Sequence, residues 1–531
     1  MLRNRILLGA AIAGLSLTGC KGDPNTPEYW SKSIDSAKRA ADRVRVVGEL
    51  RQSPALNASF LPMLHQQLGA EKSAEVKTNI VRVLRDLKDP SSIQPLLDTI
   101  DYGAADSASN GLNKEIASAL AEIGDKKAIP SLMKLLKSKD NYTKIEAINA
   151  LGALDATEAV DSLIELATSE TGEPFISKKA IIALGNIGDT KAVPTLLRMM
   201  FKERRGVSFY MESSFSLFQI GEPSAKALAN AVAGQDKELL EWAKENRIIE
   251  PAIFAKSAQV LRDFRTQEAE SALVKQLDYK NGFAEELLVR MWAADALGKM
   301  RSKPAAAKLK GMLGEQEAST RAMYIRALVS IGDASAVPAL EKAAQAGSWD
   351  AREPAIIGVA MLGSGDDLKV LEKFAADEAK IHGAYCKEDP EYDACKDVAA
   401  GAQKNVEAIQ KHTKRLQAAK ECAGDLACWA KKLDDTEAGV RERAAYELGR
   451  GGDAKYIDVL VKRLSDENLE TRAAAITAAD WLITDSAEAF KTAKGSLEAI
   501  QKQLQAESGK TTFVKVNEDL RRLAVKLSRD A

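Results

Sequence analysis

Five cysteines and three histidines are the residues of this chain best suited to hold a metal, attack a substrate or cross-link the fold. Four of the cysteines fall late, Cys386 and Cys395 in "HGAYCKEDPEYDACKD" and Cys422 and Cys428 in "ECAGDLACW", with His382 and His412 in the same stretch. In an oxidising compartment these four thiols should pair, and four cysteines allow three connectivities. Residues 394–421 read as one helix with only Gly401 against it. A helix of that length spans roughly 40 Å, far beyond the reach of a disulfide. The local pairs Cys386–Cys395 and Cys422–Cys428 are therefore expected. The competing reading is a zinc site built from His382, His412 and the thiols. Structural zinc sites favour two to four residues between paired cysteines, whereas eight and five stand between them here.

Two other constellations carry chemistry. Lys77, Lys144, Arg290, Arg321, Arg352, Arg441 and Arg472 each stand seven residues ahead of a recurring apolar position, usually leucine. If helices stack, these cations rise as a ladder along one face. The ladder is either a groove for an acidic partner or a set of structural ties to acids in the adjoining turns (Asp140, Glu315, Glu317, Asp466), and the structural reading is expected. The stretch "VSFYMESSFSLFQIG" crowds Phe209, Tyr210, Phe215 and Phe218 into one helix. It reads as a thicker apolar seam or as a partner-binding patch, since aromatics are the usual anchors of interfaces.

The elements that would position these groups come from a repeated phrase. "GDKKAIPSLMKLL" (124–136), "GDTKAVPTLLRMM" (188–200), "GDASAVPALEKAA" (332–344) and "GDAKYIDVLVKRL" (452–464) recur along the chain. Aligned on Val193, the equivalent positions include Ile93, Ile129, Val160, Ala306, Val337 and Ile457, and most intervals are 30–36 residues, the period of a solenoid. Within a unit, an Asp such as Asp189 caps the entry and Pro194 sits in the first turn. Val193, Leu196, Leu197 and Met200 form one apolar stripe at helical spacing. A second helical pattern follows each phrase, and the residue after its key position is small: Gly152, Gly185, Gly298, Gly449, Ala121 or Ala360. One helix pair cannot bury both stripes alone, so the stacked array is the folding unit. The period breaks twice, at 201–265, where Trp242 and Pro251 suggest an extra helix, and at 375–422.

The ends and the composition set the context. Arg3 and Arg5 precede twelve apolar residues, Ile6–Leu17, and then Leu17-Thr18-Gly19-Cys20. That run is too short to span a bilayer and reads as a signal h-region. The LTGC stretch resembles the lipobox of bacterial lipoproteins, which implies cleavage before Cys20, lipidation of its thiol with a diacyl and N-acyl anchor, and, with Lys21 rather than Asp following, outer-membrane sorting. Lys and Arg number 75 against 76 Asp and Glu, so no charge excess draws the chain to nucleic acid.

The pattern GD-x-x-A-[VI]-P-x-L…[VA]-R-x-x-A-x-x-A-L-G resembles HEAT repeats of the short type found in phycobilisome-lyase-like proteins. It implies an all-α fold, an α-solenoid of about eleven antiparallel helix pairs. The expected division is a signal peptide at 1–19, a lipidated tether at 20–32, a solenoid at 33–374 irregular at 201–265, a cysteine-containing helical insertion at 375–422, and C-terminal repeats with a cap at 423–531. The repeat is nearly silent on function. Neither G-x-x-x-x-G-K-[ST], H-E-x-x-H nor G-x-S-x-G occurs. The deoxyhypusine hydroxylases, also HEAT-built, need His-Glu pairs for iron, and this chain has no His-Glu dipeptide. The reading is a lipid-anchored periplasm-facing envelope scaffold that binds protein partners, with no catalysis and no metal or other cofactor. The alternatives are a binder of an envelope polymer or ligand through 209–218, and an enzyme of unrecognised, lyase-like type.

Overall fold

A computed structural model describes residues 22–529, except 316, 346, 386, 388–392 and 511–513. Cys20, the signal segment and Cys386 therefore lie outside the described residues, as does the side chain of His382. The described residues form thirty α-helices and divide into two compact units, 1–216 and 217–531.

Each repeat is built as its sequence dictates. Asp125, Asp189, Asp333 and Asp453 accept the backbone N–H two residues on, at 2.9–3.2 Å, and start a 3₁₀ turn. A short first helix follows, Val193–Met199 for example, with proline in its opening turn. Its stripe of Val193, Leu196, Leu197 and Met200 is buried. The second helix ends on a glycine such as Gly188 (φ +74°) or Gly332 (φ +80°), a left-handed conformation that costs other residues energy.

The second helices carry the stack. In the first unit Ala40–Arg51, Ala74–Leu87, Ser107–Ile123, Asn141–Ala153 and Pro174–Ile187 pack each on the next. In the second unit the same holds from Glu250–Phe264 through Glu285–Lys299, Ala318–Ile331, Trp349–Leu362, Asp393–Cys422, Ala438–Gly451 and Leu469–Asp485 to Val514–Arg529. The small residue sets how near they come. A Cβ placed on Gly298 would stand 2.7 Å from the Cα of Ala327, and one on Gly449 2.7 Å from the Cα of Ala478. Hydroxyls reinforce the contact: Thr143 Oγ1 donates to the Asn110 carbonyl and Thr471 Oγ1 to that of Ala438, both at 3.0 Å.

Three features depart from the expected plan. A two-stranded hairpin pairs Glu203–Arg204 with Val207–Ser208 in the otherwise helical chain. Its turn, Arg205-Gly206, takes φ of +51° and +73°, the paired positive values a tight two-residue hairpin requires. The stretched interval at 201–265 contains one more helix, Lys237–Glu245, which buries Leu239 and Ala243 and holds Trp242 half-buried. The segment 375–422 is not an insertion outside the stack. Leu368–Tyr385 and the 30-residue helix Asp393–Cys422 pack on each other as an ordinary pair with long arms, and the second continues the row of stacked helices. The expected boundary at 374 falls inside the first of them.

Replacing Gly298 or Gly449 with Ala should lower the melting temperature, at a cost of about 1–3 kcal/mol from overpacking against backbone. Gly111, with nothing within 4 Å of its would-be Cβ, is the control. Gly111→Ala should be neutral or stabilise by up to about 1 kcal/mol through helix propensity. Thermal melts of the three variants read this directly.

Candidate interaction surfaces

A guanidinium in the first turn of a second helix faces the chain that leads into it. Arg441 makes the fullest use of that position. Its Nη1 donates to the carbonyls of Asp435 and Thr436 at 3.0 and 3.2 Å, while Nε and Nη2 grip the Asp466 carboxylate of the next repeat at 3.0 and 2.9 Å. The Asp466 carbonyl in turn accepts from Arg472 Nε at 2.9 Å, and Arg472 Nη1 reaches both Glu507 oxygens at 3.0 Å. Arg321 Nη1 meets the carbonyl six residues back, that of Glu315, at 3.3 Å. Arg290 pairs with Glu286 and Glu315, and Arg352 with Glu378 at 2.8 Å. These arginines are spent on tying turns and neighbouring repeats. Lys77 and Lys144 have no carboxylate partner among the described residues. The sequence reading missed Arg43, seven residues ahead of Leu50, which repeats the arrangement on the Ala37 and Lys38 carbonyls and on Glu71 at 2.7 and 3.0 Å. The seven-residue spacing was the signal that could have found it.

The aromatics of 209–218 do not form an exposed patch, which corrects their reading as partner anchors. Phe209 and Phe218 are each 1% exposed, and Tyr210 and Phe215 are half-buried. Arg204, carried by the hairpin, sits 5.3 Å from the Phe209 ring and donates to Ser177 Oγ at 2.6 Å. Ser177 occupies the ladder position of its own repeat, so the hairpin supplies the guanidinium that this helix lacks. Phe218 lies 5.3 Å from Phe264, and Arg529 stacks on it while donating to its carbonyl.

The thiols are likewise engaged. Cys422 and Cys428 form a disulfide with Cα atoms 5.3 Å apart, and Cys395 is disulfide-bonded. Neither Cys422 nor Cys428 has a thiolate to offer zinc. His412 is no better placed: burial first, then Arg415 and Lys411, push its pKa down to about 3, and Arg415 Nη1 lies 2.6 Å from its Nδ1. Among the described residues no three His, Cys, Asp or Glu side chains gather as a metal site would need.

A denser set of charges lies buried in the second unit. Arg262 pairs with Asp519 at 3.1 Å and Asp295 at 3.2 Å, Arg522 with Asp263 at 2.8 Å, and Lys526 with Asp480. Lys299 donates to Thr477 Oγ1 at 3.0 Å, and its carbonyl accepts from Trp481 Nε1 at 2.8 Å. Burial pulls Lys299 below the usual lysine range, whereas Asp480 stays below its ordinary value because Lys526 and Lys299 outweigh its burial. The void among these groups is about 10 Å³, room for one water. This is a tie between the Val514–Arg529 helix and helices more than two hundred residues earlier, not a pocket.

What remains open is an edge of the first unit. Tyr142, Phe175 and Met211 are the second residues of the helices Asn141–Ala153, Pro174–Ile187 and Tyr210–Ile220, and they are 70%, 59% and 48% exposed. An N-terminal helical turn normally carries polar caps, so a large apolar residue there in three successive second helices is unusual. Tyr102, 49% exposed, lies in the loop before Ser107–Ile123, beneath Lys134 at 5.4 Å. It borders an open cleft of about 490 Å³ whose walls include Asn110, Lys137 and Lys139. Lys179 lies 5.4 Å over the Phe175 ring. The sequence signal was present, Tyr142 and Phe175 standing 33 residues apart.

Comparison with known proteins agrees with this architecture. The model of HEAT repeats matches residues 102–176, 143–207, 309–381 and 427–505, and that of the PBS lyase HEAT-like repeat matches 289–315, together just over half of the chain. The chain belongs to the HEAT-repeat family. Its fold is an α-solenoid. No curated protein matches it in sequence. Among solved HEAT-type structures, human deoxyhypusine hydroxylase is 18% identical, covers 58% of this chain and 99% of its own, and has a TM-score of 0.21. The karyopherin Kap121p bound to the SUMO protease Ulp1p is 13% identical over 96% of this chain and 67% of its own, with a TM-score of 0.41. Kap95p, from a structure concerned with RanGDP, is 10% identical over 94% and 76%, with a TM-score of 0.45. These likenesses carry no argument about function.

Arg441→Gln should lower the melting temperature, since removing one partner of a buried pair costs about 3–5 kcal/mol and the Arg441 and Asp466 side chains are only 9% and 3% exposed. Burial works to raise the Asp466 pKa, but Arg441 and the Asn468 N–H hold it below the ordinary 3.8. A carboxylate lowered in the folded state stabilises above its unfolded pKa and loses that contribution as pH falls through the folded value. The Gln penalty is therefore full at neutral pH and fades below pH 3.8. Lys144→Gln should leave the melt unchanged.

Proposed function

We propose that this chain is a non-catalytic scaffold, lipid-anchored through Cys20 in the bacterial cell envelope and facing the periplasm, that docks protein partners on the Tyr142–Phe175–Met211 edge of its first unit. The exposed Tyr142 and Phe175 at matching positions of successive repeats, with exposed Met211 in the first turn of the next second helix, carry the reading. Stacked repeats offer extended surfaces of this kind, and aromatic side chains are the usual anchors of protein interfaces. The arginine ladder and Cys422, Cys428 and His412 support a structural rather than catalytic role for the remaining chemistry, because each is engaged in packing or cross-linking. The anchor rests on the LTGC stretch and its preceding apolar run, and no helix among the described residues is long and apolar enough to cross a membrane.

Two measurements test the reading. Cys20→Ser should move the protein from the membrane fraction to the soluble fraction with its melting temperature intact; retention on membranes after a high-salt wash would refute the anchor. In crosslinked pull-downs from whole cells, Tyr142→Ala combined with Phe175→Ala should abolish most of the partner recovered with the wild-type chain. Both side chains are mostly solvent-exposed, so the fold should survive. Undiminished recovery would move the docking surface elsewhere.

A further inference from the structure

Resting on that docking edge, we propose that its occupant is an extended, acidic segment of a partner protein with an apolar side chain at about every third residue. Two observations converge on this chemistry. The first is spacing. Helices packed as Asn141–Ala153 is on Pro174–Ile187, and as Pro174–Ile187 is on Tyr210–Ile220 through Gly185 and Ser216, stand about 8–10 Å apart. Equivalent residues at their starts repeat at that interval, and an extended chain covers the same distance in about three residues. Tyr142 and Phe175 thus match positions i and i+3 of one segment in the polyproline II conformation, whose three residues per turn bring every third side chain to the same face.

The second observation is charge. Most carboxylates beside the row already have partners: Asp140 caps the Thr143 N–H at 2.7 Å, Glu170 pairs with Lys202, Glu173 with Arg205 and Glu212 with Lys178, which leaves Glu146 one turn from Tyr142. Lys137, Lys139 and Lys144 have no carboxylate among the described residues, and Lys134 and Lys179 rest on aromatic rings instead. The charge left over on this edge is positive, so acidic residues between the apolar anchors complement it.

The probe is a fluorescein-labelled twelve-residue peptide, four repeats of Glu-Glu-Phe, titrated with the full chain and read by fluorescence anisotropy. The wild type should bind it. Tyr142→Ala with Phe175→Ala should weaken binding tenfold or more, and Lys137→Gln with Lys139→Gln several-fold, with unchanged melting temperatures. A Lys-Lys-Phe counterpart should bind at least tenfold more weakly than the acidic peptide. Equal binding of the basic peptide, or no effect of the aromatic pair, overturns the proposal. So does sedimentation of the Cys20→Ser chain with phosphatidylglycerol vesicles that depends on Tyr142 and Phe175 while the peptide stays unbound, which would make the edge a lipid contact. If the pull-down depends on Tyr142 and Phe175 but the peptide fails, the occupant is wrong and the edge stands. If neither depends on them, the edge itself is wrong.

Discussion

The near contact of backbone with backbone between successive second helices governs the remaining geometry. A helix can settle this close to its neighbour only where a side chain is missing, as at Gly298 over Ala327 and Gly449 over Ala478. Once that contact is made, rotation and sliding of one helix on the next are both restricted. Every other position then has a fixed counterpart in the repeats on either side. The apolar stripes of the short first helices meet in register, and the turns that join the helices come into line along one edge. Where the small residue is replaced, as by Phe218, a buried ring fills the space against Phe264 and Arg529 instead.

The same register explains how similar first-turn positions serve different ends. Arginines seven residues ahead of the key position all face the joining turn, because their helices are held at one rotation. Arg43, Arg321, Arg441 and Arg472 each find a backbone carbonyl, and Arg43, Arg290, Arg352, Arg441 and Arg472 each reach an acid farther along the chain. Two positions nearer the helix start, that rotation carries Tyr142 and Phe175 into solvent. Ladder and edge are therefore neighbouring columns of one lattice, and inward or outward direction decides whether a column serves packing or recognition.

Much of this was legible in the sequence because the repeat prints its period directly. The capping aspartates, the first-turn prolines, the terminal glycines and the buried stripes each obey short-range rules, and a stacked helical array results from them together. The rest failed for identifiable reasons. Phe209 and Phe218 looked like anchors because a run of aromatics does not say whether its neighbours cover it. The stretch 375–422 looked inserted because two long helices exceed the period without leaving the stack. Arg43 was overlooked because the first repeat lacks the Gly-Asp phrase that marked the others. The edge at Tyr142 and Phe175 escaped because each is unremarkable alone and gains meaning only when the array aligns them. The buried charges at Asp263, Lys299, Asp480 and Asp519 come from segments too distant for any local pattern to join.

That last cluster changes how the second unit folds. A plain repeat array has only neighbour contacts, so its ends can fray while its middle holds, and loss of a terminal repeat removes little else. The bond from Arg262 to Asp519 joins residues 257 apart. Closing so long a loop is slow and entropically costly, and the contact forms only when the intervening helices are already ordered. The final helix thus behaves as a latch that engages last and makes the unit open or close as one cooperative body. A chain truncated before Val514 would deprive Arg262 of Asp519 and Asp263 of Arg522. A nascent chain must therefore be nearly complete before this half can reach its stable state, whereas the first unit, built from neighbour contacts, can order repeat by repeat as it emerges.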